Sequence, residues 1–355
     1  MNLRLLQRRA RLSWGLAGLL VTACGPADEA ARPAETVPGS TLPANFPPPV
    51  YVLDQNPPDR AAFELGRQLF YDPRLSRDGS VSCGSCHQQF AAFAHADHPV
   101  SHGVASRLGT RNAPALQNLR WSRSLLWDGG VANLEVFPLA PLTNPVEMDE
   151  TLDRVLAKLN ADAAYPRRFA QVYGAGPITS QQLLRALAQF TASLTSANSR
   201  YDRHARGEAS GPWSTAEQRG LTVFRASCAG CHATDLFTDE SFRNNGLDAT
   251  FAADSGRAHI TGAARDRGKF KVPSLRNVAR TAPYMHDGRF TTLPQVLAHY
   301  DHGVVASPTL DPLLRQPDGR RGLPLTAPQQ ADLLAFLQTL TDESFLSNPQ
   351  LAAPR

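Results

Sequence analysis

Apolar residues recur at intervals of three and four over residues 179–196 (TSQQLLRALAQFTASLTS) and again over 326–341 (TAPQQADLLAFLQTLT). That spacing gathers the leucines and phenylalanine on one face of an α-helix, so each stretch predicts an amphipathic helix closing one half of the chain. Two upstream segments echo one another: AFELGRQLF at 62–70 and AEQRGLTVF at 216–224, each with a glycine four residues ahead of a phenylalanine (Gly66 and Phe70, Gly220 and Phe224). The likeness continues in RNAP at 111–114 against RNVARTAP at 276–283, and in WDGG from Trp127 against HDGR from His286. A further helix is predicted in EMDETLDRVLAKL (147–159), where Asn144, Pro145 and Glu147 have the residue types of an N-cap, a first-turn proline and a capping-box partner. Strand-like alternation is scarce. The pattern predicts an all-α chain of two related halves, with short helices and long loops, joined near residues 206–211.

The N-terminus departs from this pattern. Residues 1–11 are basic, SWGLAGLLVTA (13–23) is an apolar run too short to span a bilayer, and small residues precede Cys24, which is the layout of a cleavable export signal over 1–24. VTAC, after Leu19 and Leu20, resembles a bacterial lipobox, in which the cysteine is lipidated and becomes the first mature residue; ordinary cleavage near Ala23 is the alternative. Arg8 and Arg9 raise twin-arginine export, which their neighbours fit poorly. Seven prolines mixed with Ala, Glu and Ser predict a disordered tether over 25–49 that holds the folded part off a membrane. Composition adds little beyond class: 42% hydrophobic and 19% charged residues in a chain of 355 suit a globular protein of two domains. The net charge of +4 rests on 36 basic residues, all arginine except Lys158, Lys269 and Lys271, and they are scattered rather than striped. That argues against a nucleic-acid partner.

With Cys24 assigned to the signal, the remaining cysteines stand in CGSCH (83–87) and CAGCH (228–232). Four thiols in an exported chain would ordinarily suggest two disulfides. The histidine after each pair argues otherwise. In CxxCH two thiols add to the vinyl groups of one haem while the adjacent imidazole reaches the iron, so all three must lie within one helical turn. Zinc-ribbon spacing is excluded, because Cys83 and Cys228 stand 145 positions apart, and a thioredoxin-like CxxC needs a βαβ setting that is absent. The expectation is two c-type haems, one on Cys83, Cys86 and His87, the other on Cys228, Cys231 and His232. The expected fold is all-α, with two cytochrome c-like haem domains of long loops at 50–207 and 208–345.

LFYDPRLSRDGSVSCGSCH, GTRNAPALQN, LLWDGG, PLTNPVEM, CAGCH and FKVPSLRNVARTAPYMHDGRF, in that order over about residues 58–342, resemble the bacterial di-haem cytochrome c peroxidases and the related MauG proteins. The resemblance implies that the haem on His87 is the peroxide site and that the haem on His232 handles electrons. It implies that Glu147, twenty residues after Trp127, is the distal acid–base group, a role typically worth ~100 to 10,000-fold in rate. The capping role of Glu147 is compatible with that one. Trp127 matches a tryptophan placed between the haems as an electron path, with a core anchor as the alternative. Asn112, Thr281 and Pro283 match oxygen ligands of a calcium ion between the domains, with turn formation as the alternative.

Departures from the family tilt the expected chemistry. Fourteen residues after His286, where peroxidases carry a methionine as second ligand of the C-terminal haem and MauG a tyrosine, the chain has Tyr300. Met148 and Met285 are the other sulfur sources, and Met285 stands at a position that is apolar in the family. A thioether raises the iron potential and a phenolate lowers it, so Tyr300 points toward MauG-like behaviour. Phe137 stands where the family has a glutamine near the peroxide pocket. His102, in a loop with His95 and His98, is close to the position of a removable histidine on the N-terminal haem; a surface loop is the alternative. The leading expectation is reduction of hydrogen peroxide to water, with electrons from a small periplasmic cytochrome c or cupredoxin, by a lipid-anchored protein that could pair as a homodimer. A MauG-like oxidase that modifies a partner protein, and a non-enzymatic di-haem electron carrier, are the alternatives.

Overall fold

A computed structural model describes residues 36–354. The export signal at 1–24, with Arg8, Arg9 and Cys24, and the first part of the expected tether lie outside the described residues. Helices carry the fold. In chain order they are α1 (Arg60–Tyr71), α2 (Cys83–Cys86), α3 (Leu139–Thr143), α4 (Leu152–Ala161), α5 (Tyr165–Tyr173), α6 (Ser180–Ser193), α7 (Arg200–Ala205), α8 (Thr215–Ser227), α9 (Ala258–Thr261), α10 (Leu293–Ala298), α11 (Ala327–Gln338) and α12 (Glu343–Leu346). One short antiparallel pair, β1 (Phe242–Arg243) with β2 (Phe270–Lys271), is the sheet among the described residues. None of the described helices is long and apolar enough to cross a membrane.

Two helix pairs organise the packing. Asp59 accepts a hydrogen bond from the Ala62 amide and starts α1, which buries Phe63, Leu65, Leu69 and Phe70 against α6. Capping boxes at Ser214–Glu217 and Thr326–Gln329 start α8 and α11, which pack together in the same way. The repeated glycine now has a reason. A Cβ at Gly66 would overlap the Ala186 carbonyl of α6, and one at Gly220 would overlap the Asp332 carbonyl of α11, so both crossings need backbone in direct contact. The WDGG and HDGR echo is likewise structural. Leu125 bridges to Val131 as Tyr284 bridges to Phe290, and Leu126 and Met285 share a positive φ at the corresponding corner.

Apolar side chains gather in two principal cores. Phe63, Phe70, Phe93 and Phe190 anchor the first; Phe224, Phe237 and Phe336 anchor the second. The cores do not divide at residue 207. Tyr201 of α7 stacks edge-on against Phe237 at 4.8 Å in the second core, whereas Phe345, Leu346 and Leu351, at the C-terminal end, return to the first. The Arg67 guanidinium and the Tyr71 hydroxyl hold that returning segment through its backbone carbonyls.

Two expectations are corrected. The helix expected from Glu147 opens instead at Leu152, capped by Thr151, whose hydroxyl accepts from the Arg154 amide. Residues 147 and 148 are claimed by neighbouring loops: the Glu147 carbonyl takes the Val104 amide, the Met148 carbonyl takes the Arg77 amide, and the Met148 side chain is buried in the first core. The tether expected to be disordered to residue 49 meets the fold from Thr36 onward. Asn45 donates to Asp202 and Asp235 (both 3.0 Å), the Trp121 indole donates to the Pro47 carbonyl (2.7 Å), and the Phe46 ring lies 5.0 Å from Trp121. Polar side chains of the arm thus find fixed partners, which its composition could not disclose.

Candidate active site

α2 is a single turn closed by Ser82 and Ser85, with the Ser82 amide donating to the Ser85 hydroxyl (3.0 Å). The His87 amide donates to the Cys83 carbonyl (2.9 Å), so the imidazole follows both thiols within that turn. His87 Nδ1 donates to the Phe93 carbonyl (2.7 Å), which leaves Nε2 as the lone-pair nitrogen. Burial pushes this imidazole down to about 4, against the opposing pull of the Phe93 and Pro114 carbonyls, so the ring is neutral at physiological pH. The second motif repeats the arrangement. His232 Nδ1 sits 3.1 Å from the Phe237 and Pro273 carbonyls, and burial lowers its pKa.

Burial, and then the neighbouring thiol, push Cys83 and Cys228 up to about 12; Cys86 and Cys231 are raised chiefly by burial. All four are unpaired. Two protonated thiols and a neutral imidazole with an available Nε2 are the donor set that covalent haem c attachment requires. They do not suit zinc, which needs three or four converging ligands, and among the described residues no group of three or more His, Cys, Asp or Glu could hold a bare metal ion.

Glu147 reaches the first of these sites. Its carboxylate acts electrostatically on both Cys83 and Cys86. Burial raises its pKa, partly offset by Asn144, whose Nδ2 donates to Glu147 Oε1 (2.9 Å). The segment opposite is Gly103, where a Cβ would overlap the Val146 and Glu147 carbonyls. The Cys86 thiol contacts the His102 carbonyl (3.6 Å), but the His102 ring turns into a cluster, 4.5 Å from His98 and 6.0 Å from His95. His95 in that cluster is buried, and burial followed by the neighbouring imidazoles pushes it down to about 4. Phe137 is buried in the first core.

The Trp127 indole donates to the Asn112 carbonyl (2.8 Å), and the Asn112 amide donates to the His286 carbonyl (2.7 Å), so Trp127 stands two hydrogen bonds from the HDGR hairpin. The Asn112 side chain donates to the Pro99 carbonyl (3.2 Å), and the Thr281 hydroxyl turns to the Val278 carbonyl (3.4 Å); Pro283 is buried. Tyr300 lies in a π-helical turn, His299–Gly303, that extends α10, a feature frequent at functional sites. Burial pushes its phenol up to about 12, opposed by an interaction with Asn245, and the Cys231 and Cys228 thiols are near enough to add to the rise. The Met285 sulfur accepts from Asn245 Nδ2 (3.3 Å). The structure therefore brings Glu147 to the first motif and Tyr300 to the second. Asn245, which belongs to no motif, was not distinguishable in the sequence from any loop asparagine.

Residues 60–210 match the protein family described as di-haem cytochrome c peroxidase. The methylamine utilization protein MauG of Methylorubrum extorquens is 35% identical over 338 residues, 93% of each chain. The cytochrome c peroxidase Ccp of Escherichia coli is 36% identical over 263 residues, covering 71% of this chain and 56% of that one. Among solved structures, a MauG-like protein associated with microbial copper homeostasis superposes with a TM-score of 0.80 at 36% identity, covering 88% of this chain and 98% of the other.

Proposed function

Because the chain belongs to the di-haem cytochrome c peroxidase and MauG family of oxidoreductases, which carry two covalently attached haem c groups, we propose that it reduces hydrogen peroxide at the haem held by Cys83, Cys86 and His87. When bound, haem supplies the redox-active iron. The polypeptide supplies the proton path. The Glu147 carboxylate takes a proton from one peroxide oxygen and returns it to the oxygen that leaves; with two electrons and two further protons from solvent the products are two waters. His87 Nδ1, tied to the Phe93 carbonyl, keeps Nε2 in the correct tautomer for the iron. The observation that carries this reading is the part-buried Glu147 beside the Cys83 and Cys86 thiols. In haem-loaded protein given peroxide and a reduced donor, Glu147→Gln is expected to lower turnover ~100 to 10,000-fold with haem content intact. Unchanged turnover would remove the assignment.

The placement of Tyr300 favours a second reading at the same site: a MauG-like enzyme that takes its electrons from a partner protein and so modifies it. A phenolate beside the second haem holds oxidised iron better than a thioether does. Peroxide consumption by the holo-protein without any small donor, accompanied by a mass change in a co-exported protein, would favour this reading; strict dependence on a reduced cytochrome c or cupredoxin would favour the first. Trp127 is proposed as the path between the haems, supported by its hydrogen-bonded link to the second hairpin. His102 is proposed to stay off the iron, because its ring is engaged with His95 and His98. The fully oxidised protein is then expected to react with peroxide without prior reduction, which stopped-flow absorbance checks.

The proposal extends to the setting of the enzyme. Each core is read as one cytochrome c-like haem domain, and Asn112, Thr281 and Pro283 are the oxygen set proposed for calcium. Export and lipid anchoring through Cys24 would place the enzyme in the periplasm.

A further inference from the structure

Asn245 sits between the two side chains that compete for the distal side of the second haem. Its Nδ2 donates to the Met285 sulfur (3.3 Å), its backbone carbonyl accepts from Nε2 of His299 (3.0 Å), the residue next to Tyr300, and the carboxamide lies beside the Tyr300 phenol. A primary amide has two N–H donors, enough for one bond to each. We propose that Asn245 is the positioning residue of this haem's distal side: it directs the Tyr300 oxygen to the iron and keeps the Met285 sulfur occupied. The inference rests on the reading of Tyr300 as a ligand.

The loop that carries Asn245 is built to hold it still. Asn244 Nδ2 donates to the Ser307 and Thr309 hydroxyls (2.8 and 2.9 Å), and its Oδ1 takes the Gly246 amide (2.9 Å). Gly246 has φ +72°, and a Cβ there would press on the Val304 side chain. The Val305 amide donates to the Gly246 carbonyl (2.8 Å). On the other side, His299 Nε2 donates to the Asn245 carbonyl (3.0 Å), so the residue before Tyr300 is tied to the same backbone. The π-helical turn and the asparagine loop are thus tied together at the residue next to Tyr300.

The chemistry divides the two ligands. A thioether whose lone pair accepts an N–H is a poorer donor to iron. Sulfur and oxygen each keep a lone pair after accepting one N–H, but the anionic phenolate stays the stronger donor to ferric iron. A hydrogen bond to a bound phenolate also withdraws electron density, so it holds the iron potential above that of an unsupported phenolate.

The test uses the matured full chain with both haems, read by reductive titration and by electron paramagnetic resonance. Asn245→Leu, and separately Asn245→Ser, whose side chain is too short to reach, are expected to move the second-haem midpoint to more negative potential. Both are expected to alter its low-spin ferric signal while leaving the first-haem signal in place. Tyr300→Phe abolishes the second-haem signal without producing a thioether-to-iron charge-transfer band, because the Met285 sulfur stays held; adding Asn245→Leu releases it and the band forms. If both Asn245 variants superpose on the parent while Tyr300→Phe changes the spectrum, the role of Asn245 is overturned and Tyr300 stands. A thioether band already present in Tyr300→Phe overturns the retention of Met285. If Tyr300→Phe superposes on the parent, Tyr300 is no ligand and the inference goes with it.

Discussion

A carboxyl group beside two part-buried cysteines has a pKa set by its surroundings, and Glu147 shows the consequence. Burial raises it, and the single hydrogen bond from Asn144 recovers only part of the loss. A base with a raised pKa is ionised only above that value, so peroxide turnover is expected to climb with pH through a limb lying above the ordinary carboxylate range. A pH profile of kcat/KM that lacks this limb in Glu147→Gln, and keeps it in the parent, checks the assignment. Tyr300→Met is expected to raise the second-haem potential, since a thioether favours the reduced iron; spectroelectrochemistry reads the direction. The attachment residues were legible in the sequence because their chemistry is confined to five consecutive positions. Glu147 was legible only by its distance from Trp127, and local grammar wrongly offered it a place in a helix, because the Val104 amide takes its carbonyl and the Arg77 amide takes that of Met148.

At the scale of the element, the two helix crossings make the sharpest prediction. Gly66→Ala and Gly220→Ala insert a methyl group against a carbonyl of the facing helix, an overpacking that costs about 1–3 kcal/mol. Denaturant titration of the holo-protein is expected to show each variant with a lowered midpoint, and an unchanged midpoint would mean that the helices can part without loss. Two helix starts were readable where the periodic stretch begins at its own cap, at Thr179 with Gln182 and Thr326 with Gln329, whereas at α4 the true cap is Thr151 and not the expected Asn144. The π-helical turn at Tyr300 was not readable. Its register depends on His299 finding the Asn245 carbonyl, 54 positions away in the chain.

Across the whole molecule, Arg276 and Asp202 form an ion pair that is 1% and 0% exposed, with Nη2 to Oδ1 at 2.7 Å. Phe46 from the N-terminal arm covers the guanidinium at 4.3 Å, and Asn45 adds a hydrogen bond to the same carboxylate. Burial alone would raise Asp202, but Arg276, Ser199 and Asn45 overcome it and hold the carboxyl below its usual range. Removing one partner of such a pair strands a buried charge, so Asp202→Ala is expected to cost about 3–5 kcal/mol. The folded pKa lies below the unfolded one, so the stabilisation is complete above the unfolded value and disappears as pH falls through the folded value. Melting curves of the parent and Asp202→Asn should therefore differ at neutral pH and converge in acid. By itself the sequence determined what is covalent or local: two haem attachment turns, the self-capped helices, and the glycines that recur with them. Tertiary structure alone decided that the N-terminal arm closes over the centre, that the C-terminal segment returns to the first core, and that Asn245 meets Tyr300. These contacts join segments far apart in sequence through aperiodic loops, and their energy exists only once the chain has brought both partners out of water.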